Sequence, residues 1–331
     1  MTPRVEFTHH VVAGLGAIRA RLADQESVGR LLFVHGLFGG AWVWDQFAPY
    51  FALRGWDCWS LTRRGLHRGS GSEVGRLRLT DDVADVTAIA AELGAPALIG
   101  HSLGGLLVLK TAEQTAAPAV VALTPAPPRG VFALRHLALL GVALRHAPAM
   151  VLDRPMLPGR RLMDRVALHR LDAVERERVW RRLVPESARQ VFGITVPGLA
   201  VSPGKVRCPC LVVAAGADRL TPPSMVRRIA RRYGATCYEY ARLGHMVPLE
   251  RGWSRVAAGV CAWLERIPRA RLHPLLEPEG LAQQQTVPHA ALTHRQRPEA
   301  GDGHQLLQHH GAGHDDVGAR GLQAMQPPSP S

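Results

Sequence analysis

The chain has 331 residues, 47% of them apolar, with 40 Lys and Arg against 27 Asp and Glu for a formal net charge of +13. This is long enough to bury a sizeable core in one large domain, and no apolar run is long enough to span a bilayer. The five cysteines (Cys58, Cys208, Cys210, Cys237 and Cys261) form no C-x-x-C pair, so we expect buried small hydrophobes and neither a zinc site nor a disulfide framework.

Taken in chain order, residues 1–20 lack a continuous apolar stretch after a basic start, so no secretory signal and a cytoplasmic location are expected. Strands are expected over 5–10, 17–22 and 31–35. The third runs into His35-Gly36-Leu37-Phe38-Gly39-Gly40, a glycine-bearing turn ahead of an expected helix at 41–53. A strand at 57–62 follows, then the loop Arg63-Arg64-Gly65-Leu66-His67-Arg68-Gly69-Ser70. Next comes a helix at 81–93, with Thr80 or Asp81 as its cap and Val83, Val86, Ile89, Ala90 and Leu93 as its apolar stripe.

The strand expected over 97–101 leads into Gly100-His101-Ser102-Leu103-Gly104-Gly105, which has the form G-x-S-x-G, and then into a helix at 103–115. A serine on so sharp a strand-to-helix turn needs neighbours with almost no side chain, which Gly100 and Gly104 supply. The helix beginning at Leu103 points its unpaired N–H groups toward whatever Ser102 attacks and favours negative charge there. The pattern by itself is only moderately specific, so the partners of the serine decide.

After a strand at 119–124, Pro125 to Lys205 interrupts the alternation of strands and helices. The segment opens on the breaker cluster Pro125-Ala126-Pro127-Pro128 and then reads as helical over 131–147 and 160–171. Asp172-Ala173-Val174-Glu175 has capping-box form at the start of a helix reaching about Val184. The apolar run Phe132–Leu144 is too short, and too broken by Arg135 and His136, to cross a membrane; it either lines a pocket, the more ordinary reading, with Met150 beyond it, or lies on lipid. Fourteen basic and six acidic residues concentrate positive charge here. No nucleic-acid motif accompanies them, and a solvated basic face is the expected reading.

The strand at 209–215 ends just before Asp218, and that at 236–241 just before Leu243-Gly244-His245. Helices at 222–233 and 252–266 follow them. Open parallel sheets place functional groups beyond strand ends, so Ser102, Asp218 and His245 form a candidate nucleophile, orienting acid and base. Acyl transfer also needs two oxyanion donors. We assign the N–H of Leu103 and that of Leu37, with Phe38 as second choice, and read His35 as a structural histidine beneath the loop.

From about Val5 to Ile267 the chain resembles the α/β-hydrolase superfamily. Its order Ser, Asp, His matches, and its His35–Trp44 stretch is similar to the oxyanion loop of small esterase and hydroxynitrile-lyase-like members. The loop at Arg63 resembles the superfamily's R-G-H-G-x-S, with one residue inserted and Thr62 where Asp is common. The resemblance implies a mostly parallel sheet with helices on both faces, and a helical cap formed by residues 125–205. It also implies a serine esterase that needs no metal or organic cofactor and acts on a small-molecule ester. A lactone (acyl-homoserine lactones included), a thioester or a carbon–carbon bond remains an alternative target of the same site. A ligand receptor is a further alternative, disfavoured by an intact triad. Serine at 102 disfavours the dehalogenase and epoxide hydrolase branches, and the scarcity of cap lysines disfavours hydroxynitrile lyase chemistry.

Residues 268–331 change character: they hold Gln283-Gln284-Gln285, seven of the sixteen histidines and no aromatic residue. Such a stretch cannot bury enough apolar surface to fold alone and is expected to be a disordered tail, dispensable to a catalytic domain of residues 1–267.

Overall fold

Alternating apolar runs and amphipathic segments assemble into one eight-stranded sheet covered on both faces. The computed structural model describes residues 4–23, 25–66, 72–131, 147–195 and 198–272. All lie in the first of two units, Met1–His289; the second, Ala290–Ser331, lies outside the described residues, as does the expected 268–331 tail from residue 273 onward.

The strands are β1 (Val5–Val12), β2 (Leu15–Leu22), β3 (Gly29–Val34), β4 (Trp56–Leu61), β5 (Ala97–His101), β6 (Val120–Leu123), β9 (Cys210–Ala215) and β10 (Thr236–Tyr240), with β7 (Pro155–Met156) and β8 (Glu186–Ser187) forming a separate two-stranded ladder. In space the large sheet runs β1-β2-β4-β3-β5-β6-β9-β10. The β1–β2 and β2–β4 pairings are antiparallel and the rest parallel. β1 and β2 extend beyond their expected ends and meet at Ala13-Gly14, where both residues have positive φ (48° and 77°), the backbone of a tight hairpin turn. Alanine is an unusual occupant there, which is why the apolar pattern alone stops short.

β3, β4, β5, β6 and β9 are buried along their whole length, as parallel strands sandwiched between helices must be. Successive residues face opposite layers. Leu32, Val34, Leu98 and Val212 pack against α2 (Leu79–Glu92), α3 (Leu103–Gln114) and α8 (Pro223–Arg232). Leu31, Phe33, Ile99 and Val213 pack against α1 (Phe47–Ala52) and α9 (Trp253–Leu264).

Three expected elements are redrawn. The helix at 41–53 is a 3₁₀ turn, Ala41–Trp44, followed by α1. Pro49 has no N–H to donate, so the helix can hold it only in its first turn and must restart just ahead of it. The helix α2 starts at Leu79 with Arg78, not Thr80 or Asp81, as its cap residue. Asp81 instead accepts the Arg78 N–H at 2.7 Å from the third helical position. Beyond α9, the helix α10 (Arg269–Leu272) buries Leu272 in the core against Gly29, so packing continues past Ile267, the expected end of the domain.

Between β6 and β9 lie α4 (Ala147–Val151), α5 (Arg160–Val166), α6 (Ala173–Arg182) and α7 (Ala188–Thr195). Asp172 caps α6 by accepting the Glu175 N–H at 2.9 Å, as its capping-box pattern anticipates. Residues 132–146, most of the helix expected over 131–147, lie outside the described residues. Three cysteines are buried and Cys208 partly so, but Cys237 is exposed, because β10 is an edge strand with one face to solvent.

Candidate active site

Parallel strands share one C-terminal edge, and there the chain delivers His35 after β3, Ser102 after β5, Asp218 after β9 and His245 after β10. Ser102 has φ 55° and ψ −118°, a left-handed conformation that a non-glycine residue holds only when its surroundings enforce it. Its N–H donates to Leu123 O at 3.0 Å, and its C=O accepts the Ala126 N–H at 2.9 Å. The flanking glycines are required sterically. A Cβ on Gly100 would sit 2.1 Å from Gly104 O, and one on Gly104 would sit 2.0 Å from Val34 O.

The structure brings the three separated residues together. Ser102 Oγ lies 2.9 Å from His245 Nε2, and His245 Nδ1 lies 2.9 Å from Asp218 Oδ2, all three side chains buried. Asp218 Oδ1 accepts the N–H groups of Leu220 (2.7 Å) and Thr221 (2.9 Å), and Oδ2 also accepts the Thr221 hydroxyl at 2.6 Å. Burial pushes the carboxyl's pKa upward, but His245 and the Thr221 bonds outweigh it and hold Asp218 below the usual value. An ionised acceptor fixes the proton of His245 on Nδ1 and leaves Nε2 free to accept from Ser102.

The His245 loop is held by groups the sequence did not single out. The carboxylate of Glu250 spans the residue, accepting the N–H of Gly244 at 2.6 Å and of Met246 at 3.0 Å. The carbonyl of His245 accepts His101 Nε2–H at 2.8 Å and the Thr124 hydroxyl at 3.2 Å. Burial, then the neighbouring His245, pushes His101 down to about 3, so it stays neutral and serves as a fixed donor. Burial likewise pushes Glu250 above the usual glutamate range.

Beside Ser102, the Leu37 loop rests on a buried polar cluster. His35 is structural: its Nδ1–H donates to Gly36 O at 2.8 Å and its Nε2 accepts the Arg63 N–H at 3.2 Å. The Arg63 guanidinium, 1% exposed, reaches Gly36 O (3.0 Å), Asp82 (3.0 Å) and Glu186 (2.6 Å). Phe38, the second-choice oxyanion donor, has its N–H committed to Glu186. Leu37 and Leu103 make no such commitment among the described residues. Glu186 carries no motif, so nothing in the sequence marked it.

A cavity of about 260 Å³ opens on Ser102 and His245. Its walls are mostly apolar: Leu37, Phe38 and Trp42 from below, with Leu162, Met163 and Leu168 from the α5 segment, and Leu183 and Ile194 further along. Met150 is not among them, and Phe132, Leu134, Leu137, Leu139 and Leu140 lie outside the described residues. Over residues 160–171 the apolar positions turn inward to the cavity and the arginines outward to solvent. Among the described residues, no group of three or more His, Cys, Asp or Glu side chains is placed to hold a metal ion, and no helix is long and apolar enough to cross a membrane.

A mostly parallel sheet whose serine sits on a strained turn between the fifth strand and its helix defines an α/β hydrolase. The chain belongs to the alpha/beta hydrolase family: that family's model matches residues 31–259. No curated protein matches its sequence. Among solved structures it is similar to a thermophilic esterase from Thermogutta terrifontis (17% identity, 80% of this chain and 99% of that chain, TM-score 0.59). It is also similar to a monoacylglycerol lipase from Paleococcus ferrophilus (22%, 78% and 99%, TM-score 0.58) and to a methylesterase from Arabidopsis (14%, 71% and 98%, TM-score 0.56). At these identities the likeness is one of fold, a scaffold that serves many chemistries.

Proposed function

We propose that this protein hydrolyses carboxylic esters through an acyl-enzyme on Ser102. The observation that carries the reading is the run of two 2.9 Å contacts, Ser102 to His245 to Asp218, ending at an apolar cavity. Ser102 Oγ attacks the ester carbonyl while His245 Nε2 takes its proton, and Asp218 stabilises the imidazolium that forms. The oxyanion is held by the N–H groups of Leu103 and Leu37, since the Phe38 N–H is engaged by Glu186. His245 then protonates the departing alkoxide, and a water activated by the same imidazole cleaves the acyl-enzyme to the acid. Neither a metal nor an organic cofactor enters these steps.

The cavity volume lies just below the roughly 300–1,000 Å³ of typical small-molecule pockets, which favours small to medium acyl or aromatic esters over a triglyceride. Apolar contacts discriminate only about 1–3 kcal/mol per methylene, so several chain lengths are accepted. Residues 1–267 make the catalytic domain, with 125–205 as its cap, and the buried Leu272 extends its packing beyond that boundary. The test is hydrolysis of short p-nitrophenyl esters, as a chain-length series with and without a lipid interface. Ser102→Ala should lose at least about a thousandfold in kcat. Activity surviving that substitution overturns the proposal, and a steep rate rise only above substrate solubility overturns the soluble-ester preference. Faster turnover of lactones or thioesters in the same panel reassigns the leaving group.

A further inference from the structure

Phe38 is a left-handed, non-glycine residue (φ 64°) in the loop beside the nucleophile, a strained conformation that persists only where neighbours enforce it. Both of its backbone polar groups are taken by one short stretch of the cap. Its C=O accepts the Val184 N–H at 3.1 Å, and its N–H donates to the carboxylate of Glu186. Glu186 is fully buried and 148 residues away in sequence, so this is a tertiary clamp and not a local turn.

The clamp acts on the two peptide planes that flank Leu37. The Gly36 carbonyl belongs to the same planar unit as the Leu37 N–H, so whatever holds that oxygen aims that hydrogen. The oxygen is held by Arg63 at 3.0 Å and by His35 at 2.8 Å. The next plane, Leu37 C=O with Phe38 N–H, is held by Glu186. The same Glu186 oxygen accepts Arg63 Nη2 at 2.6 Å, and so also steadies the guanidinium that grips Gly36. One carboxylate oxygen from the cap thus fixes both planes.

We propose that Glu186 is a positioning residue for the oxyanion donor at Leu37, so that the cap shapes the catalytic machinery as well as covering it. The proposal rests on the acyl-enzyme reading above. The charge balance makes it testable in folded protein. Arg63 faces two carboxylates, Asp82 at 3.0 Å and Glu186, so neutralising one does not strand a buried cation. Glu186 Oε2 has no partner among the described residues, so a glutamine can place its amide nitrogen there and keep Oε1 as the acceptor. An aspartate keeps the charge but withdraws the acceptor by one methylene.

The decisive comparison is therefore Glu186→Gln against Glu186→Asp, assayed for kcat, KM and inhibition by an alkyl trifluoromethyl ketone, whose serine adduct carries an oxyanion. Glu186→Gln should stay within about threefold of wild type in kcat. Glu186→Asp should lose about 10–100-fold in kcat with KM within about twofold, and its ketone affinity should fall by the same factor as kcat/KM. Three results overturn the proposal. They are an active aspartate with an inactive glutamine, a change confined to KM, or a lowered melting temperature with kcat and ketone affinity intact. Failure of the acyl-enzyme reading is distinguished by the Ser102→Ala enzyme, which would then keep its activity.

Discussion

Replacing Asp218 by Asn isolates what the carboxylate does for His245, because the geometry dictates how the amide must sit. Asp218 Oδ1 accepts two backbone N–H groups, from Leu220 and Thr221, at 2.7 and 2.9 Å. Those donors cannot move without unwinding the turn, so the amide oxygen takes that position and the NH2 group takes the place of Oδ2. There it faces His245 Nδ1, 2.9 Å away in the native protein. A donor now meets the nitrogen that carried the proton. The imidazole moves its proton to Nε2, which can no longer accept from Ser102. The fold is little disturbed, since the cavity-side volume is unchanged, but the base is in the wrong tautomer. In the analogous serine-protease substitution this costs about 10⁴ in kcat, or about 5 kcal/mol of barrier. We expect Asp218→Asn to lose about that factor in p-nitrophenyl ester turnover, with its melting temperature within a few degrees of wild type. Activity within tenfold of wild type, in correctly folded protein, would refute the reasoning and remove Asp218 from the site.

Burial raises the pKa of Glu250 above its ordinary 4.5, so the folded protein binds more protons than the unfolded chain between 4.5 and the folded value. Stability from this group is therefore present below that window and is lost as pH rises through it. Melting curves from pH 4 to 8 should show Glu250→Gln with a flatter decline than wild type; parallel curves would contradict the assignment. At the C-terminus, a chain ending after His273 should keep the melting temperature of the full protein and whatever rate it shows in the proposed ester hydrolysis. One ending at Pro268 loses the buried Leu272, about 1.5–3 kcal/mol, and should melt several degrees lower. Equal melting temperatures for the two would show that α10 contributes nothing to the core.

The order of strands and helices could be read from the sequence because each is a local pattern. Buried parallel strands are short unbroken apolar runs such as Leu31–Val34 and Leu211–Ala215, and amphipathic stripes such as Val83 to Leu93 mark the helices between them. The Ser102 turn was readable for the same reason, since the steric demand of the turn falls on Gly100 and Gly104, two residues either side. Asp218 and His245 could be singled out because strand ends in a parallel sheet share one edge. What holds these groups in register could not be read. Thr221 is a loop residue like many others until its hydroxyl meets Asp218, and Glu250 is an ordinary glutamate until the chain folds it under His245. The Phe38–Glu186 contact spans 148 residues and involves a backbone N–H, which every residue but proline carries and which leaves no trace in the sequence. Tertiary structure alone decided which carboxylate was buried, because burial depends on the packing of distant elements and not on local spacing. It also decided that the apolar positions of residues 160–171 turn toward the cavity, while their arginines produce the basic outer face.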